Sequence, residues 1–175
     1  MGQTGLTVRM DKDLLIREIE TPDFPLLQNF LYQAVFTPPG SPPLPPEIIF
    51  LPEIFIYVEG FGKQSDCGVV AENGNKVLGM AWTRIIQAFG HIDDNTPELA
   101  MSVLPEFRGK GIGTALLAKL FELLRQRRFS QTSLSVDKRN PAVRLYQRAE
   151  YELIRENEVD YIMVKKLGEC LQKND

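Results

Sequence analysis

A short glycine-rich segment with flanking positive charge is the part of this sequence best suited to bind an anion. Gly109, Gly111 and Gly113 alternate with other residues, and Arg108 and Lys110 add two positive charges. Glycine has no side chain to hold an anion away from backbone N–H groups. The residues that follow have the apolar spacing of a helix, whose N-terminus carries partial positive charge. The pattern predicts a cradle for a phosphate or pyrophosphate group.

Two common phosphate-binding patterns fit this segment poorly. A Walker loop needs Ser or Thr directly after its lysine, and Lys110 is followed by Gly111. A dinucleotide fingerprint needs a third glycine where this chain has Thr114 or Leu116. Asp137 does imitate the ribose-binding acid of the dinucleotide fold, but too little sequence follows it to complete a doubly wound sheet. An NAD-binding, Rossmann-like oxidoreductase is therefore only a minor alternative for the function of this segment.

Two segments in the right order resemble the signature motifs of the GNAT superfamily of N-acetyltransferases. They are VLPEFRGKGIGTALL, residues 103–117, and NPAVRLYQRAEYE, residues 140–152, with one strand between them. The resemblance extends over about residues 13–167. The residues that stand on the two motifs are Arg108, Gly109, Gly111 and Gly113 in the first, and Asn140, Ala142, Leu145 and Tyr146 in the second.

The resemblance implies a fold, a cosubstrate and a reaction. The fold is a mixed α/β domain, expected to span residues 1–175, whose mostly antiparallel central sheet has a splayed strand pair and is flanked by helices. The cosubstrate is acetyl-CoA, no metal is needed, and the acetyl group passes to a primary amine by direct attack in a ternary complex. A GNAT-like module that binds acyl-CoA without catalysis is an alternative. The implied cofactor-binding residues are Met101, Ser102, Val103, Leu104, Arg108, Gly109, Lys110, Gly111, Ile112, Gly113, Thr114, Asn140, Ala142 and Tyr146.

Tyr146 and Glu98 are the candidate catalytic residues. A lysine-like amine has a pKa near 10.4 and is mostly protonated at neutral pH, so a group must take its proton before attack. Glu98 begins the strand before the glycine segment and is the best-placed carboxylate, acting directly or through water. The alternatives are His91, Glu59 or a water held by backbone carbonyls. The resemblance places Tyr146 beside the sulfur, where its hydroxyl stabilises the departing thiolate by a hydrogen bond.

One position departs from the family pattern. In GNAT proteins three residues usually separate the tyrosine from a following Gly-Phe pair, and this chain has Glu150-Tyr151 at that place. Glutamate adopts the left-handed conformation that ends a helix less readily than glycine does. The sequence therefore predicts a change in the local turn, with the cofactor site intact.

The patterning also predicts the elements that position these residues. Thr21 is the expected cap of the first helix, and Asn73-Gly74-Asn75 is a strong hairpin signal. We expect the acceptor pocket to come from residues 22–62, Trp82 and the last strands. The predicted elements are a strand at 14–20 with Leu14 and Ile16 facing inward, a helix at 22–36, a stiff proline-rich loop at 37–46, a short apolar helix or strand at 47–62, the hairpin, a strand at 98–104, a helix at 111–127, a strand at 131–137, a helix at 141–151 and a strand at 160–167.

Composition narrows the class of protein. The net charge of -3 and the pI near 5.3 argue against a nucleic-acid or acidic-membrane partner. Cys67 and Cys170 lie far apart, without ligand spacing or a neighbouring base, so neither a metal site, a disulfide framework nor a covalent thiol route is indicated. No apolar run approaches the ~18 residues of a membrane span. We expect a cytoplasmic monomer or homodimer that acts on an amine whose identity the sequence leaves open.

Overall fold

The computed structural model describes residues 13–168 and contains one seven-stranded sheet. Cys170 and both ends of the predicted 1–175 domain lie outside these residues. The strand order is β1-β2-β3-β4-β5-β7-β6, and every neighbouring pair is antiparallel except β4 and β5. The strands are β1 (Leu14–Glu18), β2 (Cys67–Asn73), β3 (Lys76–Arg84), β4 (Glu98–Val103), β5 (Gln131–Asp137), β6 (Glu152–Glu156) and β7 (Asp160–Lys166). The mostly antiparallel sheet confirms the predicted fold class and rules out the doubly wound alternative.

Helices cover both faces of the sheet. The α-helices are α1 (Leu27–Ala34), α2 (Pro52–Phe55), α3 (Ile112–Gln126) and α4 (Ala142–Arg148), and the 3₁₀ segments are Thr21–Leu26, Pro46–Phe50 and Pro105–Phe107. Helices α3 and α4 pack on one face, and α1 and α2 pack on the other. Within residues 13–168, no helix has the length and apolar character needed to cross a membrane.

Alternate residues of the central strands feed the two cores. Val69 and Ala71 of β2 face α3, while Val70 between them packs with Leu27 and Phe30 on the α1 side. Successive strand side chains point to opposite faces, so a strand covered on both sides is apolar at nearly every position. This double burial holds the middle of the sheet rigid between the helices.

Strands β4 and β5 separate soon after they meet. Glu98 and Ser133 are their one registered pair among the described residues. Beyond it, β4 stays paired to β3 as far as Val103, and β5 stays paired to β7 as far as Asp137. The two strands run parallel, so the gap between them widens toward their carboxyl ends and leaves backbone groups without sheet partners. This gap, the β4–β5 wedge, is the predicted splayed strand pair.

The structure differs from the predicted elements mainly at the N-terminal side. The helix expected at 22–36 is a 3₁₀ segment followed by α1, because Pro25 interrupts the helical hydrogen bonds. Its cap is Glu20 rather than Thr21, and the Glu20 N–H donates to Asp23 Oδ2 at 2.8 Å. The apolar segment expected at 47–62 forms a 3₁₀ turn and then α2. Strand β6 was not predicted, since all of its residues are exposed and no apolar alternation marks it.

Candidate active site

A cavity of about 1270 Å³ passes through the β4–β5 wedge. Its walls on one face come from the start of α3 and from α4. On the other face they come from the end of α1, the proline-rich loop, Tyr57 and Phe89. Between the faces it is bounded by 99–103 of β4 and 135–137 of β5. Two molecules can therefore enter from opposite faces of the sheet and meet between the strands.

The glycine segment forms the rim of this cavity at the N-terminus of α3. Gly111 is the residue before the helix and has φ +84°, a left-handed conformation that side chains disfavour. The first helical hydrogen bond to this end runs from Ala115 N–H to the Gly111 carbonyl, so the N–H groups of 111–114 have no acceptor in the described chain. Arg108 also lines the cavity, and its Nε donates to the Val103 carbonyl at 2.8 Å. Free N–H groups, the helix dipole and one guanidinium together favour an anion here.

Two of the predicted cofactor residues lie away from the cavity wall. The Lys110 ammonium stands 5.3 Å from the centre of the Phe107 ring, and Lys110 does not line the cavity. Leu104 donates its N–H to the Leu78 carbonyl of β3 at 2.8 Å, so that group is not free for a ligand in the wedge. The other predicted residues of the glycine segment, Gly109, Gly111, Ile112, Gly113 and Thr114, do line it.

The edge of β4 presents alternate backbone groups to the wedge. In an antiparallel ladder the N–H and C=O of successive residues point to opposite sides. Because the backbone N–H of Leu104 points to β3, the backbone groups of Met101 and Val103 point toward β5, where no strand pairs with them. Ser102 has the opposite orientation, and its hydroxyl donates to the Phe30 carbonyl of α1 at 2.7 Å. The predicted edge therefore consists of Met101 and Val103 rather than all four residues at 101–104.

Helix α4 brings Asn140, Ala142 and Tyr146 to the cavity. The Asn140 Oδ1 accepts the Ala142 N–H at 2.9 Å and so fixes the start of the helix. Tyr146 is 8% exposed and lines the cavity, and no described residue hydrogen-bonds to its hydroxyl. Burial raises the pKa of Tyr146 above its ordinary value of 10. Its phenol is thus a hydrogen-bond donor that holds its proton firmly.

The turn after α4 keeps the family geometry without the family glycine. Glu150 has φ +64°, and its N–H donates to the Gln147 carbonyl at 3.0 Å. The next N–H, of Tyr151, donates to the Tyr146 carbonyl at 2.9 Å, which completes a Schellman motif. The Lys165 ammonium donates to the Glu150 carboxylate at 2.6 Å. The expectation that glutamate would alter this turn was therefore wrong.

Glu98 is deeper than the sequence suggested. It is 1% exposed and does not line the cavity. Its Oε1 accepts the Tyr57 hydroxyl and the Gly90 N–H, the latter at 2.6 Å, while Oε2 has no partner in the described chain. A side chain at Gly90 would collide with Glu98 Oε1 and with the β5 backbone, so glycine allows the close approach of residue 90 to Glu98. Burial raises the pKa of Glu98 above its ordinary value.

The alternative proton acceptors are less well placed. The His91 Nδ1 donates to the Ile86 carbonyl at 3.0 Å, and its Nε2 lies 3.7 Å from Asp94, as expected for a surface turn. Glu59 is exposed and does not line the cavity. Cys67 is buried away from the cavity, and burial raises the pKa of its thiol to about 11, so it is not a thiolate nucleophile at neutral pH.

Sequence reasoning missed three polar residues at the α1–α2 side of the cavity, Tyr57, Ser135 and Asp160. All three line the cavity, and the Ser135 hydroxyl donates to Asp160 Oδ2 at 2.6 Å. They come from three distant parts of the chain. Only strand pairing brings β5 and β7 together, and a single sequence carries no signal of that pairing. Tyr57 also lies in an apolar segment whose secondary structure the pattern did not decide.

Comparison with known proteins agrees with this geometry. Residues 16–151 match the model of the Acetyltransferase (GNAT) family, and the chain belongs to that family. A search of curated proteins gave no match.

Solved structures with the same fold include three bacterial or archaeal acetyltransferases. A putative acetyltransferase from Salmonella typhimurium with its cofactor acetyl-CoA is 20% identical with a TM-score of 0.66, over 91% of this chain and 97% of that one. The ribosomal-protein-S18-alanine N-acetyltransferase from Escherichia coli is 19% identical with a TM-score of 0.63, over 91% and 97%. The PaiA N-acetyltransferase from Thermoplasma acidophilum in complex with coenzyme A is 17% identical with a TM-score of 0.60, over 87% and 98%. At these identities the likeness shows the fold.

Family and fold together define the class of protein. This chain is an acetyl-CoA-dependent N-acetyltransferase of the GNAT family.

Proposed function

We propose that this enzyme transfers the acetyl group of acetyl-CoA to a primary amine by direct attack within a ternary complex. The observation that carries the proposal is the cavity through the β4–β5 wedge, which is lined by residues from both faces of the sheet. A donor that binds along α3 and α4 would place its thioester between the strands. An amine that enters beside Tyr57 would then reach the same point without an enzyme-bound intermediate.

The donor site is assigned to the glycine segment and the β4 edge. The free N–H groups of 111–114 and Arg108 are suited to the pyrophosphate of acetyl-CoA. The Met101 backbone groups and the Val103 N–H have no partner strand and are suited to the amides of the pantetheine arm, whereas the Val103 carbonyl accepts the Arg108 Nε. A backbone N–H on this edge would also stabilise the oxyanion that forms when the amine attacks the thioester carbonyl.

Tyr146 is assigned to the leaving group. As the new C–N bond forms and the C–S bond breaks, the sulfur departs as a thiolate, and the Tyr146 hydroxyl donates a hydrogen bond to it. Before any shift, a phenol with pKa near 10 is a weaker acid than a thiol near 8.5, which puts complete proton transfer about 2 kcal/mol uphill. Burial raises the Tyr146 pKa further. Stabilisation by hydrogen bonding is therefore favoured over full protonation by this residue.

Glu98 is assigned as the final acceptor of the amine's proton. Its raised pKa makes it a stronger base than an exposed glutamate, although still far weaker than the amine. Burial of the carboxylate keeps it out of direct contact with the cavity, so the proton must reach it through another group.

The test of the proposed function is release of coenzyme A thiol in the presence of acetyl-CoA and amines of different classes. A suitable panel contains spermidine, L-lysine, kanamycin and a tripeptide with a free N-terminal alanine. We expect release that requires both acetyl-CoA and at least one amine, with the acetylated amine detected by mass spectrometry. Calorimetric binding of acetyl-CoA without release for any amine would instead support a non-catalytic acyl-CoA-binding module.

We further propose that the chain is one domain that works in the cytoplasm as a monomer or homodimer. A buried, free Cys67 suits a reducing compartment. Cell fractionation and sedimentation of the purified chain test the two statements. Recovery in a secreted fraction, or a tetramer or larger assembly, would contradict them.

A further inference from the structure

Tyr57 occupies the position between the cavity and the buried carboxylate of Glu98. Its ring lines the cavity on the α1–α2 side, and its hydroxyl donates to Glu98 Oε1. Glu98 itself does not reach the cavity surface. Because the Tyr57 hydrogen is committed to Glu98, its oxygen keeps lone pairs that can accept a hydrogen bond from a ligand.

The backbone around Tyr57 is held in place by hydrogen bonds from two side chains of β3. The Trp82 indole donates to the Tyr57 carbonyl at 2.9 Å. The Arg84 guanidinium donates to the carbonyls of Ile56 at 3.0 Å and Glu59 at 2.7 Å. Arg84 is itself held by Asp66 in a buried ion pair at 3.1 Å. Such support is characteristic of a side chain whose position must be maintained.

Asp160 supplies negative charge at the same end of the cavity. Strand register places Glu98, Ser135 and Asp160 on one face of the sheet, the face that Tyr57 covers. Asp160 lies near enough to Tyr57 that its charge helps to raise the pKa of that phenol, after the larger effects of burial and Glu98. Within residues 13–168, Asp160 forms no ion pair with a cationic side chain, and only Oδ2 receives the Ser135 hydroxyl. A half-buried carboxylate without a cationic partner among the described residues therefore lines the cavity here.

We propose that Tyr57 and Asp160 form the acceptor subsite for a protonated primary amine. Asp160 attracts the ammonium group, and Tyr57 relays one ammonium proton to Glu98. The inference rests on the proposed function. In the proton step one ammonium N–H bond breaks and an O–H bond forms at the Tyr57 oxygen, while the original Tyr57 O–H bond breaks and a new one forms at Glu98. Tyr57 is neutral before and after, the amine becomes neutral, and Glu98 becomes the protonated acid. The neutral amine then attacks the thioester carbon, and as the C–S bond breaks the second proton lost from its nitrogen passes to the departing sulfur or to water.

The chemical class follows from this arrangement. At neutral pH a primary amine is present mostly as the ammonium ion, so attraction by Asp160 acts on the abundant form. Tyr57 and its bond to Glu98 then produce the reactive form only inside the cavity. An amide, an alcohol or a carboxylate carries no positive charge and would gain nothing from Asp160.

The subsite is tested with three substitutions and the amine of the panel that the wild type acetylates fastest. Tyr57→Phe keeps the ring but removes the relay, and we expect kcat to fall about 100-fold with the KM for the amine changed by less than about 3-fold. Asp160→Asn should raise the KM for the amine about 10-fold with kcat changed by less than about 3-fold. The matched control is Tyr161→Phe, which removes a hydroxyl from the residue after Asp160, on the opposite face of β7 and outside the cavity wall, and should leave both constants within about 2-fold.

Two further readouts separate a relay from a structural role. Glu98→Gln combined with Tyr57→Phe should be no slower than the slower single variant, because both act on one proton path. The Asp160→Asn effect on KM should shrink as the pH passes the pKa of the amine, where the acceptor loses its charge. The charged or titratable groups facing this path are Tyr57, Glu98, His91, Asp160 and its cross-strand neighbour Asp137, which is paired with Arg139. Arg84 lies opposite Glu98 in the ion pair with Asp66. His91→Gln is therefore measured in parallel and should leave the pH profile in place.

The outcomes distinguish this inference from the proposed function. Absence of turnover by the wild type with every amine overturns both. Turnover by the wild type with a fully active Tyr57→Phe overturns the relay alone. Multiplicative losses in the double variant, or an Asp160→Asn effect that persists unchanged at high pH, would likewise overturn it.

Discussion

Individual residues in this site are distinguished by their hydrogen-bond partners more than by their type. Burial raises the pKa of both Tyr57 and Tyr146. The Tyr57 hydroxyl donates to the Glu98 carboxylate, whereas the Tyr146 hydroxyl has no hydrogen-bond partner among the described residues. They lie on opposite sides of the β4–β5 wedge. The same phenol can therefore transmit a proton at one end of the reaction and stabilise a thiolate at the other.

Removal of the Tyr146 hydroxyl should affect turnover and spare binding. In Tyr146→Phe the ring still packs against Tyr151, whose centroid lies 5.7 Å away. We expect kcat to fall roughly 10- to 1000-fold, while the Kd for acetyl-CoA from calorimetry stays within about 3-fold. Retention of wild-type kcat would mean that another group stabilises the thiolate.

The burial of Glu98 should also be visible in stability. Because the folded state raises the pKa of Glu98, the folded protein binds its proton more tightly than the unfolded chain does. This contribution is present below the unfolded pKa and is lost as pH rises toward the folded pKa. Glu98→Gln carries no charge at any pH. The free energy of unfolding of this variant, relative to wild type, should therefore increase in urea titrations as the pH rises above about 4.3, the ordinary glutamate pKa. A difference that is constant with pH would show that burial does not penalise the carboxylate.

At the scale of elements, helix ends carry much of the function. The start of α3 provides the anion site, and the end of α4 sets the position of Tyr146 through the Schellman turn at Glu150. Both ends depend on left-handed residues, Gly111 at the first and Glu150 at the second. Glycine adopts this conformation freely, whereas other residues pay about 1–2 kcal/mol.

Charge at the start of α3 should control acetyl-CoA affinity. Gly111→Ala and Gly111→Asp both place a side chain in the left-handed conformation, which alanine tolerates no better than aspartate, but only aspartate adds a negative charge facing the pyrophosphate. We expect calorimetry to show acetyl-CoA binding at least about 10-fold weaker in Gly111→Asp than in Gly111→Ala, with the difference reduced at high salt. Equal affinities in two folded variants would remove the anion site from this helix end.

The turn after α4 should become more stable with the family residue. Glu150→Gly relieves the left-handed strain but loses the Lys165 contact, and Glu150→Ala loses the contact while keeping the strain. We expect Glu150→Gly to unfold at higher urea than Glu150→Ala, by about 1 kcal/mol in free energy of unfolding. The alanine variant separates the contact from the conformation. If both variants unfold together, the φ of Glu150 is not a source of strain.

The sequence predicted the elements that local chemistry determines. The glycine segment, the hairpin at Gly74 and the strand of Glu98 were predicted because turn residues, caps and apolar spacing act over a few positions. Strand β6 has no buried face and left no pattern. The segments on this side of the cavity were predicted in outline, as residues 22–62 and the last strands, although Trp82 does not line it. The meeting of Tyr57, Ser135 and Asp160 could not be predicted, because it depends on pairing between distant segments.

At the scale of the whole molecule, the seven-stranded sheet separates two helix-covered faces, and the cavity connects them through the β4–β5 wedge. Helices α3 and α4 bury one face and α1 and α2 the other, so the β4–β5 wedge is where the donor and acceptor sides communicate. This architecture supports the proposed direct transfer, since it would let both substrates be bound at once. It also accounts for Cys67, which packs in the core as a protonated thiol outside the cavity.

The central claim of direct transfer is tested most directly by initial-velocity kinetics with both acetyl-CoA and the best amine of the panel varied. Double-reciprocal plots should give intersecting lines, because both substrates occupy the wedge before the acetyl group moves. Cys67→Ala should give the same pattern with unchanged kcat. Parallel lines, together with release of coenzyme A before the amine is added, would show an acetyl-enzyme intermediate and contradict the account.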